Sequence, residues 1–205
     1  MHDQDASRPR DAVFWFDRKQ RPLAAVEGSI HADVVVVGAG MMGLMCARTL
    51  RARGQRVCVV EAETCGAGAS GRSSGLITPD SELELRDLVQ QFGPDAARKL
   101  WEFALGGVNA IQQAVLEDQI DCDMQVQDAL FVATTRGGAE VVSTEHAARN
   151  AFGYPSTLYS RESLPEILGS TAYFGALRFG GTFGINAYDA CAGLRQRLLE
   201  TGAQI

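Results

Sequence analysis

Gly38-Ala39-Gly40-Met41-Met42-Gly43 matches the pattern G-x-G-x-x-G, and a carboxylate follows at Glu61. Residues of these types at this spacing can hold a dinucleotide. Gly38 permits a tight turn out of a strand. Gly40 lets the main chain approach a diphosphate where a Cβ would collide, and Gly43 allows a helix to pack closely on a strand. A helix that begins here aims unpaired N–H groups and a partial positive charge at phosphates. Glu61, at the end of the next strand, can accept hydrogen bonds from a ribose diol, and its charge disfavours the 2′-phosphate of NADP. It does not separate FAD from NAD. The alternative is a glycine-rich turn in an α/β domain that binds no cofactor.

A second glycine-rich segment follows, Gly66-Ala67-Gly68-Ala69-Ser70-Gly71-Arg72-Ser73-Ser74-Gly75. It resembles the GASGRNGG-type segment of the FAD-dependent amine and D-amino-acid oxidase family, which includes glycine oxidase, sarcosine oxidase and γ-glutamylputrescine oxidase. Phe14-Trp15 is similar to that family's aromatic lead-in. The resemblance implies a segment that runs along the cofactor toward the flavin ring, with small residues that let backbone N–H groups come close. It makes Ser70, Gly71, Arg72, Ser73, Ser74 and Gly75 candidate FAD contacts. They join Gly38, Ala39, Gly40, Met41, Met42, Gly43, Glu61 and Ala62. Ser73-Ser74 stands where the family segment often reads Asn-Gly, and a serine hydroxyl can still donate to a flavin edge or a phosphate. Without the resemblance, the same stretch reads as a flexible surface loop.

The implied reaction is oxidation of the C–N bond of an amine or amino acid to an imine, with FAD taking the hydride. Such chemistry needs neither a metal nor a nucleophilic triad, and no catalytic acid or base is identified. Other chemistries find little support. His2, His31 and His146 read as surface residues. There is no G-x-S-x-G elbow and no G-K-[ST] phosphate loop. Asp121 and Asp123 flank Cys122, and on a strand both carboxylates would share one face, either solvated or paired on a metal. None of the five cysteines forms C-x-x-C. Cys46 and Cys58 are expected to be small core fillers.

The elements that must position these residues follow from periodicity. Asp33–Val37 reads as a strand buried on both faces. Leu44–Arg53 reads as a helix closed by Gly54, and Arg56–Glu61 as a second strand, which together make a βαβ unit. Helices are expected over Leu83–Phe92 and Asp95–Asp118, with Pro94 in the first turn of the latter. Leu100, Phe103, Ala104, Val108, Ile111, Val115 and Leu116 fall at helical intervals along it. Residues 122–135 read as one or two strands, and Ala139–Ala151 as a helix. Ser160–Leu168 reads as a short helix capped by Ser160, and Tyr173–Phe179 as a strand. Asn186–Thr201 reads as a helix ending at Gly202, after which Ala203-Gln204-Ile205 opens a new strand.

The expected fold is α/β: a Rossmann-like FAD-binding βαβ domain with an inserted α+β substrate domain, C-terminally truncated. Residues 1–32 form a tail and aromatic lead-in, of which Val13–Phe16 is expected to pack on the domain surface. Residues 33–82 form the first part of the FAD-binding domain, 83–180 a partial substrate or cap domain, and 181–205 a return to the FAD-binding domain. In full-length relatives a further strand and another glycine-rich flavin contact come later, so the chain reads as a fragment or a split product.

Composition bounds the rest. With 46% hydrophobic and 21% charged residues the chain can bury a core. A net charge of −6 argues against nucleic-acid binding. No apolar run is long enough to span a bilayer, and the first residues lack the apolar stretch of a secretory signal. The odd cysteine count favours a reducing, cytoplasmic setting. The expected partners are a small-molecule amine or amino acid and a partner chain that completes the FAD domain and covers its open sheet edge. Two other readings stay open: an inactive truncated chain or subunit of a heteromeric flavoenzyme, and an NAD-dependent dehydrogenase. The Ser/Gly segment argues against the second.

Overall fold

The structure, a computed structural model, describes Val13, Phe16, residues 25–79 and residues 83–205. The Phe14-Trp15 lead-in and His2 lie outside the described residues. The chain divides into two compact units, one of Met1–Gly75, Gln113–Met124 and Ile185–Ile205, the other of Leu76–Gln112 and Gln125–Gly184. In chain order the elements are β1 (Val34–Val37), α1 (Met41–Ala52), β2 (Val57–Val60), β3 (Leu76–Ile77), α2 (Leu85–Phe92), α3 (Pro94–Glu117), β4 (Gln125–Ala133), α4 (Arg136–Ala151), β5 (Ser156–Ser160), α5 (Leu164–Leu168), β6 (Gly175–Gly184) and α6 (Ala187–Glu200).

In the first unit β1 and β2 pair in parallel, from Val34 opposite Val57 to Val37 opposite Val60. Asp33 and Arg56 pin the start of this ladder with an ion pair of 2.6 Å. Helix α1 crosses between the strands, and Gly54 at φ +80° closes it, a left-handed position suited to glycine. Ala39, Leu44, Ala47, Val57, Val59, Cys65, Cys191, Leu194 and Leu198 form the core between the strands and helices α1 and α6. After α6 the chain joins the sheet: Gln204 pairs in parallel with Cys58 on β2. The expected new strand therefore begins, with Val59 N donating to Gln204 O at 2.7 Å.

Two expectations in this unit need correction. β1 is not buried on both faces, because Val35 and Val37 are 58% and 85% exposed. The core lies on the face of Val36 alone, and no described residue covers the other. Cys46 is exposed, whereas Cys58 is buried. Cys46 lies on the solvent side of α1, one position before the fully buried Ala47.

The second unit is built on an antiparallel sheet in which β6 pairs with β3, β4 and β5. Helix α4 packs on it over Ala133, Val142, Leu177 and Phe179. Leu85, Leu88, Ala97 and Trp101 form a separate core. β6 runs past the expected end at Phe179 to Gly184, because the pairing with β4 shifts between Gln127 and Ala129. A bulge there absorbs the Gly180-Gly181 pair. Ser160 ends strand β5 and does not cap a helix. Ser156–Ser160 is paired along β6, and the short helix begins at Leu164 behind Ser163. Asp121 and Asp123 are not on a strand, since Asp123 has φ +51° and β4 begins at Gln125. On α3 the buried positions are Ala97, Trp101, Val108, Ala114 and Val115, while Leu100, Phe103 and Leu116 are exposed. The apolar positions of α3 thus wrap more than one face, and the face bearing Trp101 wins the core. Among the described residues no helix is long and apolar enough to cross a membrane.

Candidate cofactor site

The first glycine segment makes a bare main-chain turn. Gly38 has φ +98°, and its N–H still reaches Val60 O at 2.8 Å, so the turn leaves the ladder only after this residue. A Cβ on Gly43 would lie 2.0 Å from Gly38 O, so only glycine lets α1 sit this close to the end of β1. Helix α1 starts behind Gly40 with no side-chain cap. The amides of Met42 and Gly43 have no protein acceptor among the described residues, and the first-turn N–H groups carry the positive end of the helix dipole. Met41 packs against the core, and Met42 is exposed.

Two polar side chains reach this turn from elsewhere. Glu61 Oε2 accepts the Ala39 N–H at 2.7 Å, and its Oε1 accepts the Glu63 N–H at 3.1 Å. The Ala39 N–H bond is the main reason that the Glu61 carboxyl titrates below its ordinary value. An ionised carboxylate has about four acceptor sites, so two internal bonds leave capacity for a ribose diol. From the second glycine segment, Ser70 Oγ accepts the Met41 N–H at 2.9 Å. Gly40 is the point of closest approach, where an added Cβ would lie 3.0 Å from Ser70 Oγ. The structure therefore brings together Gly38, Ala39, Gly40, Met41, Met42, Gly43, Glu61 and Ser70, with Ala62 exposed beside Glu61.

The rest of the second segment has other partners. Ser70–Arg72 is a 3-10 turn in which Ser73 Oγ donates to Ser70 O at 2.9 Å. Arg72 Nε donates to Ala67 O, and its guanidinium lies over the ring of Phe16. Gly75, at φ +74°, faces Ile185 O where a Cβ would lie 1.9 Å away. Close backbone contact thus accounts for glycine at 75. Ser74 is exposed. Tyr188 is a residue that periodicity did not single out. Its ring is buried and stacks on Phe16 with centroids 4.5 Å apart. The visible signal nearby was Asn186, which caps α6 by accepting from the amides of Tyr188 and Asp189.

The other candidate chemistries do not assemble. Among the described residues no group of three His, Cys, Asp or Glu side chains is placed to hold a metal. His146 is half-buried and hydrogen-bonds Ser156 Oγ at 2.9 Å, and His31 is exposed. Burial pushes the thiols of Cys122 and Cys191 up to about 11 and about 12. What the chain does present is a bare turn of main-chain amides beside a carboxylate, an arrangement that fits the ADP part of FAD.

Comparison with known proteins bears on the same residues. A sequence model of the family described as FAD dependent oxidoreductase, DAO, matches residues 33–205. The probable oxidoreductase OrdL of Haemophilus influenzae is 31% identical over 198 residues, covering 94% of this chain and 45% of that protein. Gamma-glutamylputrescine oxidoreductase of Escherichia coli is 36% identical over 115 residues, 56% of this chain and 27% of that protein. Among solved structures, glycine oxidase from Geobacillus kaustophilus superposes with a TM-score of 0.71 at 23% identity, covering 84% of this chain and 45% of that one. The chain thus spans less than half the length of these relatives.

Proposed function

The chain belongs to the FAD dependent oxidoreductase family, and from that premise we propose that it is the cofactor-holding part of an enzyme oxidising a C–N bond of an amine or amino acid. One observation carries the reading. Two segments separated in sequence converge on one helix N-terminus, Glu61 on Ala39 and Ser70 on Met41. In this reading the amides of Gly38–Gly43 bind the diphosphate, and the positive end of α1 offsets its charge. Glu61 orients the adenosine ribose, and Arg72, Ser73 and Ser74 present polar groups along the second segment. When bound, FAD supplies the hydride acceptor, and the protein supplies orientation and electrostatics.

The first unit serves as the FAD-binding domain and the second as part of the substrate domain. The substrate class is supported by what the relatives' names state, glycine oxidase and gamma-glutamylputrescine oxidoreductase. The odd set of free thiols supports a cytoplasmic setting. Activity requires more polypeptide than these 205 residues, in the same chain or a partner. The open face of β1, with Val35 and Val37 exposed, supports that requirement.

The test is uptake of FAD. The chain is incubated with FAD, desalted, and read for visible flavin absorbance and for flavin released on denaturation. Retained flavin at a stoichiometry near one supports the reading. A colourless protein that instead retains NAD overturns it in favour of a nicotinamide enzyme.

A further inference from the structure

We infer that Phe16 and Tyr188 are positioning residues for the cofactor cradle, acting through Gly71 and Ser70 on the Met41 amide; this rests on the proposed FAD-holding function. The contacts form a chain. A Cβ on Gly71 would lie 2.9 Å from Phe16 Cε1, 3.0 Å from Tyr188 Cδ2 and 2.3 Å from Gly66 O, so the two rings press directly on the main chain of this residue. The rings also stack on each other. Gly71 N donates to Gly66 O at 2.9 Å. The preceding residue, Ser70, reaches the Met41 N–H.

A three-residue 3-10 turn has poor hydrogen-bond geometry and cannot hold itself rigid. This one has no side chain at its centre to anchor it. Besides its own hydrogen bonds, it is therefore held by the two rings packed against Gly71, one from before β1 and one from the first turn of α6. The main chain that carries the Tyr188 ring is itself held, because Asn186 Oδ1 accepts the Tyr188 N–H at 3.1 Å. The Ser70 to Met41 bond sits at 2.9 Å, and hydrogen bonds weaken steeply with displacement. Loosening either ring moves Ser70 away from the first amide of α1 and so changes the cradle, although neither ring touches it.

The experiment uses the full 205-residue chain with two readouts, hydrogen exchange of the Met41 amide without FAD, and FAD affinity from quenching of flavin fluorescence. Ser70→Ala is expected to speed Met41 exchange and weaken FAD binding, each about tenfold, the scale of one lost hydrogen bond. Phe16→Ala and Tyr188→Ala are expected to do the same, while Tyr188→Phe, which keeps the ring, behaves as the parent. The double variant Ser70→Ala/Tyr188→Ala is expected to be no worse than Ser70→Ala, because both act on one contact. Unchanged Met41 exchange in Phe16→Ala, or additive losses in the double variant, overturns the inference. Should Tyr188→Ala fail to fold, Phe16→Ala decides it. A parent chain that binds no FAD refutes the proposed function, and the exchange readout still decides the positioning role.

Discussion

Glu61 Oε2 lies 2.7 Å from the amide of Ala39, so the carboxylate that ends β2 is tied to the turn that opens α1. The bond orients the carboxylate before any ligand arrives. It also holds the Glu61 carboxyl below its ordinary value of 4.5. For a carboxyl with a lowered folded-state pKa, the stabilisation is present above the unfolded value and is lost as pH falls through the folded one. In Glu61→Gln an NH2 replaces one acceptor, so either Ala39 or Glu63 loses its partner. FAD affinity is expected to fall about tenfold, and this acid-side step in stability to disappear. Fluorescence titration and urea midpoints between pH 3 and 7 check both, flanking the ordinary carboxyl range of about 4.

Gly43→Ala tests the contact between helix and strand. The new Cβ would sit 2.0 Å from Gly38 O, a backbone atom that cannot swing aside. Helix α1 must move outward, at a cost of about 1–3 kcal/mol and occasionally more. A reduced urea midpoint and loss of FAD uptake are expected together. Wild-type stability in this variant would mean that the close approach is not required.

The thiols give a count that denaturation should change. Cys46 is exposed, and Cys58, Cys65, Cys122 and Cys191 are buried. Burial raises the Cys122 thiol to about 11 and Cys191 to about 12, so neither supplies thiolate near neutral pH. A thiol reagent on the native chain is expected to label one site rapidly and all five after denaturation. Cys46→Ser should remove the fast phase and leave the urea midpoint unchanged.

The βαβ unit was legible because each of its parts is a local necessity. Gly38 and Gly43 answer to contacts within five residues, and Val57–Val60 form a short apolar run between Arg56 and Glu61. What escaped the sequence was non-local. Val35 and Val37 have the residue types of a doubly buried strand, and only the absence of a layer over them among the described residues makes them exposed. β5 has only Leu158 and Tyr159 between serines and a threonine, so it makes no apolar run, and it is a strand because β6 offers an edge. On α3, Leu100 and Phe103 are as apolar as Trp101, so periodicity offered several stripes and packing chose among them. Tyr188 gave no signal at all, since its role depends on Phe16 and Gly71, each far away in the chain.

Glu145 and Arg149 were equally silent in the sequence, and they supply the last test. They lie one helical turn apart on α4, with an ion pair of 2.6 Å and with 0% and 3% of their side chains exposed. Glu145 also accepts the amides of Leu85 and Arg86, the first turn of α2. The guanidinium of Arg149 sits between the rings of Trp101 and Phe179 and reaches Glu84 Oε2 at 3.2 Å. Removing Glu145 would take away the shorter of the two ion pairs of Arg149, leave it with Glu84 alone, and deprive the Leu85 and Arg86 amides of their acceptor. Glu145→Ala is expected to cost about 1–3 kcal/mol for the buried donors left unpaired. Glu84 behaves in the opposite sense. Desolvation, and then the charge of Glu145, raise its carboxyl above the ordinary 4.5. A raised folded-state pKa gives stability that is present below the unfolded value and is lost as pH rises through the folded one. Glu84→Gln keeps an oxygen for Arg149 and leaves Arg149 and Glu145 as a neutral pair. Its stability relative to the parent should therefore improve as pH climbs from below 4.5 toward neutrality. Urea unfolding of both chains across that range measures the difference, and a constant gap would show that Glu84 carries no strained charge in the fold.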